Sequence, residues 1–363
     1  MKYSIIVPVY NRPDEVDELL ESLCHQTVSD FEVIIVEDGS QRDCRQVTEK
    51  YADRLDIQYF MKPNSGPGQS RNYGAERARG LYLIILDSDV VVPEGYLRAI
   101  DEALAMSAAQ PSPSSPADSA DSAVACFGGP DAAHPSFTPV QKAISYSMTS
   151  FFTTGGIRGG KKKLDKFYPR SFNMGIRRDV YTSLGGFSKM RFGEDVDFSY
   201  RIVEAGYQPQ LFPEAWVWHK RRTDFSKFFR QVYNSGIARI NLEKRHPGTL
   251  KLVHLLPTVF TVGVILLVLA FVIGLMVSSF AAPDVKPQGQ LICQLALLPL
   301  ALYALLIFCD SSLRNCSLHV GLLSVPAAFV QLSGYGLGFI ESWWKRCVRG
   351  KDEFQAFEKN FYS

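Results

Sequence analysis

The chain has 363 residues, more than one soluble core usually needs, and a prior of roughly 150 residues per domain points to two units. Its formal net charge of +2 is too small for a polyanion-binding protein, so no nucleic-acid partner is expected. The seven cysteines are odd in number and show no C-x-x-C spacing, which argues against both a zinc site and a disulfide framework.

In chain order, Met1-Lys2-Tyr3 leads straight into Ser4-Ile5-Ile6-Val7-Pro8-Val9-Tyr10, a short β-branched run that reads as a buried strand. No signal peptide is expected from this start, and the first domain is expected to stay in the cytoplasm. Asn11-Arg12-Pro13-Asp14 is turn chemistry, after which Val16, Leu19, Leu20 and Leu23 recur at helical spacing up to Cys24. Phe31 to Val36 reads as a second strand, closed by Glu37-Asp38-Gly39-Ser40. A helix over Asp43 to Tyr51, a strand over Ile57 to Phe60, a helix after Gly68 and a strand over Leu81 to Leu86 follow. Alternating strands and helices predict an α/β fold with a mostly parallel sheet. Ligands of such sheets sit beyond the carboxyl ends of the strands, where Pro8 to Arg12, Glu37 to Ser40 and Asp87-Ser88-Asp89 fall.

Residues 107–123 are rich in Ser, Pro and Ala and cannot bury enough apolar surface to offset chain entropy, so a flexible insertion is expected there. Gly155 to Lys162 resembles a phosphate-binding P-loop in spacing, but Lys162 stands where Ser or Thr is needed and no buried strand precedes it. A glycine-rich mobile loop with a basic patch at Lys161, Lys162 and Lys163 fits better.

Between Lys220 and Lys251 nine Lys or Arg residues face only Asp224 and Glu243. Within that stretch Phe225, Phe228, Phe229, Val232, Ile237 and Ile240 recur at helical spacing, giving either an interfacial amphipathic helix or a helix packed on a core. Three uncharged runs follow, Leu252 to Pro283, Pro287 to Cys309 and Asn315 to Ile340, each long enough for the about 20 helical residues that span a bilayer core. The third contains Pro326, Gly334, Gly336 and Gly338 and precedes Lys345, Arg346, Arg349 and Lys351. Basic flanks prefer the cytoplasm, so it either crosses or lies re-entrant or interfacial. The organisation expected is a catalytic domain over 1–222, a basic interfacial segment over 223–251, two or three transmembrane helices over 252–342 and a basic tail over 343–363. A multi-pass protein of the inner, cytoplasmic membrane follows.

Asp87 and Asp89 end a buried strand, and carboxylates at i and i+2 of an extended chain point to one side, where a hard cation takes them as ligands. An Asp-x-Asp arises roughly once by chance in a chain this long, and Asp195 to Asp197 is a second. Position after the strand therefore carries the assignment. Asp38 either accepts hydrogen bonds from a nucleoside or serves the Asp-Gly turn. Glu194, Asp195 and Asp197 precede an apolar helix over Phe198 to Ala205, where a carboxylate either takes a proton from an attacking hydroxyl or caps the helix. His219 is a candidate third metal ligand, since imidazole suits manganese-like ions.

Ser4 to Asn11, Val36 to Ser40, Gly68 to Ala75 with Arg71 and Asn72, Leu86 to Asp89 and Gly193 to Asp197 together resemble glycosyltransferase family 2 over roughly residues 1–222. The resemblance implies a GT-A (Rossmann-like) fold followed by a helical transmembrane region, and metal-dependent sugar transfer with inversion by single displacement. It implies a donor site of Pro8, Tyr10, Asn11, Glu37, Asp38, Arg71, Asp87, Ser88 and Asp89, with Mn2+ or Mg2+ on Asp87, Asp89 and His219. Asp195 would be the base, with Glu194 its rival, and Arg230 and Gln231 would contact the diphosphate or acceptor. Glu37 departs from the Asp commonly found before Asp38. The expected partners are a nucleotide-sugar donor, a lipid-linked or polysaccharide acceptor of envelope glycan synthesis, and membrane lipid. The alternatives are a polyprenyl-phosphate acceptor and a membrane protein that binds a nucleotide sugar without turnover.

Overall fold

The structure, a computed structural model, describes residues 1–109, 124–134, 136–154, 167–220 and 222–357. Most of the expected insertion (110–123) and the glycine-rich stretch Gly155 to Lys163 lie outside the described residues. Two compact units are formed. One comprises the described residues of 1–134 and 167–220 with Phe357, the other those of 136–154 and 222–356. The stretch 136–154, which the sequence reading leaves inside the first domain, groups with the second unit instead. Its helix buries Ile144 and Met148 against Phe228 and Val232 of that unit, a set of partners far away in sequence.

The first unit opens with β1 (Tyr3–Val9), α1 (Pro13–Cys24), β2 (Phe31–Asp38), α2 (Arg45–Lys50), β3 (Ile57–Lys62), α3 (Pro67–Ala75), β4 (Tyr82–Leu86) and β5 (Val90–Val91). The chain continues through α4 (Tyr96–Ala109), β6 (Cys126–Gly128) and β7 (Asp131–Ala132). It then makes α5 (Pro139–Thr149) and α6 (Phe151–Thr154), both of the second unit. Back in the first unit come β8 (Asn173–Arg177), α7 (Arg178–Ser183), α8 (Glu194–Glu204), β9 (Gln210–Leu211) and β10 (Val217–His219).

The main sheet has the order β3-β2-β1-β4-β8-β6-β9, parallel from β3 to β4 and antiparallel at β8. Both faces are covered, which explains why the strands read as unbroken apolar runs rather than alternating ones. Ile5, Val7 and Val9 of β1 pack with Leu19, Leu20 and Leu23 of α1 on one face, while Ile6 packs with Ile34, Leu83, Phe198 and Ile202 on the other. α3 lies close on the sheet at Gly74, where a Cβ would stand 2.7 Å from Ile6 Cγ2. A three-stranded sheet, β5-β10-β7, brings the end of β10 beside the loop after β4.

The second unit holds α9 (Phe225–Arg245), α10 (Leu256–Phe280), α11 (Lys286–Asn315) and α12 (Leu318–Trp343). α10, α11 and α12 are each long and apolar enough to cross a membrane. α10 and α11 leave most of their Leu, Ile and Val side chains exposed, whereas α12 is far more covered. α12 is one continuous helix through Pro326, and its glycines are contact points rather than breaks. A Cβ on Gly338 would overlap the Tyr233 carbonyl of α9, one on Gly236 of α9 would overlap the Tyr335 carbonyl, and one on Gly336 would overlap Thr261 of α10.

Candidate active site

The parallel strands β1, β2 and β4 end together, so the segments after them converge at one edge of the first unit. Asn11 adopts φ 57, a left-handed turn conformation that asparagine tolerates, and its Oδ1 accepts from the Gln41 and Arg42 amides at 2.8 and 3.0 Å. The β1 and β2 ends are thereby tied together. Glu37 is fully buried and accepts from the Ser40 hydroxyl and, at 2.8 Å, from the Cys44 amide. Asp38 is also engaged: its carboxylate accepts from Ser65 N at 2.9 Å, Gly66 N at 2.8 Å and Lys62 Nζ, holding the β3–α3 loop. Pro8 is buried within β1, and Tyr10 is exposed just beyond it.

Asp87 and Asp89 lie in the turn between β4 and β5 rather than on an extended strand, so their common orientation comes from the turn. Ser88 between them is buried. A ligand atom from each of Asp87, Asp89 and His219 falls within 4.8 Å of the others. His219 Nε2 is 3.3 Å from Asp89 Oδ1, and the ring stacks on Phe172 with centroids 5.1 Å apart. His219 Nδ1 is buried without a hydrogen bond among the described residues, with Asp131 Oδ2 at 3.9 Å. Two carboxylates and an imidazole suit Mn2+ or Mg2+, so the donor set fits the expected ion.

Arginines link this cluster to α8. Arg71, buried on α3, donates to Asp87 Oδ1 at 2.9 Å and to Glu194 Oε1 at 2.8 Å, so both terminal nitrogens are taken by protein carboxylates. Arg12 donates to Asp89 Oδ2 at 3.0 Å. Gly193, in the left-handed region at φ 83, starts α8 at Glu194. The helix expected from Phe198 therefore begins four residues earlier and takes Glu194, Asp195 and Asp197 into its first turn. Asp195 Oδ2 accepts from Arg170 Nε at 2.6 Å and its Oδ1 from the Val196 amide at 2.9 Å. Burial alone would raise the Asp195 pKa, but the Arg170 guanidinium and hydrogen bond, with Arg71 behind them, hold it below the usual aspartate value. Glu194 goes the other way: burial and the adjacent Asp195 charge raise it despite Arg71. Asp197 faces elsewhere, accepting from Ser188 at 2.6 Å and Arg201 at 3.1 Å. Arg230 and Gln231 are on α9 of the second unit.

Residues 4–109 match Glycosyl transferase family 2, and residues 171–308 match Glycosyl transferase family group 2. The chain belongs to glycosyltransferase family 2. Among the relatives of this family 2 chain are an uncharacterised glycosyltransferase of Rickettsia bellii, 42% identical over 88 residues, or 24% of this chain and 13% of that protein. The poly(ribitol-phosphate) β-N-acetylglucosaminyltransferase TarS of Staphylococcus aureus is 40% identical over 93 residues, 24% of this chain and 16% of the relative. The matched segments thus span less than a fifth of those relatives. The mannosyltransferase PcManGT from Pyrobaculum calidifontis, solved with GDP-Man and Mn2+, superposes with a TM-score of 0.54 over 95% of this chain and 88% of its own, at 15% identity. At that identity the likeness speaks for the fold, and the family 2 chain has the GT-A fold expected of it.

The residues that sequence reasoning gave no role in this family 2 chain are Arg12, Lys62, Asp131 and Arg170. Arg12 stood inside a flagged cluster, directly after Asn11. Arg170 and Asp131 had no local signal, because their partners lie 25 and 88 residues away.

Proposed function

We propose that the chain transfers a sugar from a nucleotide-sugar donor, with inversion, to a lipid-linked or glycan acceptor at a membrane. The observation that supports this best is the joining of the Asp87–Asp89–His219 cluster to the Asp195 helix through Arg71. That puts a cation-binding set and an ionised carboxylate in one connected site. Asp87, Asp89 and His219 would hold the divalent ion, which when bound neutralises charge on the donor diphosphate. Pro8, Tyr10, Asn11, Glu37 and Asp38 lie on the strand-end segments that would shape the nucleotide site. Asp38 also fixes the β3–α3 loop through the Ser65 and Gly66 amides, and its Oδ2, with one donor, keeps acceptor capacity for the nucleoside.

Asp195 accepts the proton of the acceptor hydroxyl as its oxygen attacks the anomeric carbon from the face opposite the departing diphosphate, which inverts that carbon. Arg170 keeps this carboxylate charged until the hydroxyl arrives. The GDP-Man complex of the structural neighbour PcManGT agrees with a nucleotide-sugar donor, and three apolar helices agree with a membrane location.

The test is transfer by Asp89→Ala and Asp195→Asn variants that keep the parent's circular dichroism and melting profile. Loss of a general base is expected to cost on the order of 10²–10⁴ in rate. Full activity in both would end this reading, and donor binding without turnover in the parent would make the chain a sensor. A polyprenyl-phosphate acceptor is the second reading, favoured by the half-exposed Arg170 beside Asp195, a cation suited to an anionic acceptor. A phosphate is already ionised and needs no base, so Asp195→Asn would then retain most activity while Asp89→Ala would not.

A further inference from the structure

The three long apolar helices are not equivalent, and the difference lies in where α12 touches its neighbours. This inference rests on the reading that α10 and α11 cross a membrane. Those two run antiparallel, with Gly274 against Gly289 at one end and Phe260 against Tyr303 at the other. From Tyr303, α11 continues twelve residues to Asn315, about 18 Å at helical rise, whereas α10 begins only four residues before Phe260. The foot of α11 therefore projects past the start of α10, and it carries Asp310, Arg314 and Asn315. α12 starts at that foot and returns along it, with Gly321 against Phe308 and Ser312, Ser324 bonded to Ser311 at 2.6 Å, and Phe329 against Tyr303.

Its path then crosses the first turns of α10 instead of following that helix upward. Phe329 meets Phe260 edge-on, Leu332 O accepts from Thr261 Oγ1 at 3.3 Å, and Gly336 lies against Thr261 and Pro257. Seven residues of α12, about 10 Å of helix, thus remain at the first turns of α10. Only seven more residues separate Gly336 from Trp343, again about 10 Å, against a hydrocarbon layer of about 30 Å. Over that length α12 runs parallel to α9, with Gly338 on Tyr233, Ser342 Oγ donating to Ile237 O at 3.2 Å and Arg346 Nε to Asn241 Oδ1 at 2.8 Å. α9 does not suit a hydrocarbon setting: Lys227, Arg230 and Lys244 stand exposed on it. Trp343 and Trp344, half-exposed where α12 ends, and Lys345 and Arg349 after them are residues of the headgroup layer.

We infer that α12 does not cross the membrane: with α9 it forms a two-helix platform seated on the lipid headgroup layer, and α10 and α11 alone make the crossing. The apolar length of α12 is used on α9, α5 and the foot of the hairpin, which accounts for its greater coverage. The platform's partner is the lipid–water interface, met by the α9 cations and the α12 tryptophans.

The chain carries its own probes, because Cys316 and Cys347 are free, exposed and flank α12. Membrane vesicles of both orientations, from cells expressing the full chain or its Ala282→Cys variant, would be treated with an impermeant maleimide and mapped by peptide mass spectrometry. Cys316 and Cys347 are expected to react from one face and the thiol introduced at position 282, between α10 and α11, from the other. Cys347 reacting with the face of position 282 would overturn the placement of α12 while leaving the hairpin intact. Protection of Cys347 from both faces until detergent is added would overturn it as well. Position 282 reacting from the same face as Cys316 would instead refute the hairpin on which the inference rests.

Discussion

Asp195 and Glu194 are neighbours in sequence, both buried, with opposite shifts: burial and the Asp195 charge outweigh Arg71 at Glu194, whereas Arg170, with Arg71 behind it, outweighs burial at Asp195. Asp195 faces Arg170 at 2.6 Å, while Glu194 shares Arg71 with Asp87. A base is useful only above its own pKa, so lowering the Asp195 pKa extends activity toward acid pH. Replacing Arg170 by Gln keeps a hydrogen-bond donor but removes the charge, and Arg71 then remains as the cation acting on Asp195. The acid limb of the kcat/KM profile is expected to move to higher pH, with a smaller change on the plateau; an unmoved limb would mean that Asp195 is not the titrating base. At this scale the sequence was partly legible. Asp87, Asp89 and His219, which the structure brings together, could be singled out because carboxylates after a strand and an imidazole have chemistry that can be named from type and position. Arg170 was not, because an arginine 25 residues from its carboxylate resembles any surface arginine until the fold closes.

Periodicity carried the elements where one face is buried and misled where close backbone approach replaces side-chain packing. α1 followed from apolar spacing, and β1, β2 and β4, covered on both faces, from unbroken apolar runs. Of the α12 glycines, Gly334 and Gly338 are the surface on which α9 rests, and Gly336 meets α10. Leu at Gly236 would have to occupy the space of the Tyr335 carbonyl and the Phe339 amide. Overpacking of this kind costs about 1–3 kcal/mol, so Gly236→Leu is expected to lower the melting temperature of the detergent-solubilised protein. Gly263 of α10 has nothing within 4 Å of a built Cβ and provides the control, since Leu there should be close to neutral. Equal melting shifts for the two variants would contradict the tight α9–α12 contact.

The whole molecule divides into a sheet-based unit that holds every carboxylate of the site and a helical unit rich in exposed apolar surface. Composition revealed that division, since charge falls away after Leu252, but not that 136–154 belongs with the helices. That assignment depends on Ile144 and Met148 finding Phe228 and Val232, a pairing no local window contains. If the site is a metal-assisted donor site, ligand binding should stabilise the sheet-based unit in particular. A ligand at about 100 times its dissociation constant adds roughly 2.7 kcal/mol to whatever unfolds with its site. Melting the detergent-purified protein with UDP, GDP, dTDP and CMP, each with and without Mn2+, is expected to give one nucleotide a large shift only when the ion is present. In Asp89→Ala the metal-dependent part should vanish, measured against that variant's own unliganded melt, because Asp89 is buried and paired with Arg12 and its loss lowers the starting point. A shift that survives in Asp89→Ala would move the ion away from Asp87, Asp89 and His219, and the family's chemistry would then have to be sought elsewhere in the same unit.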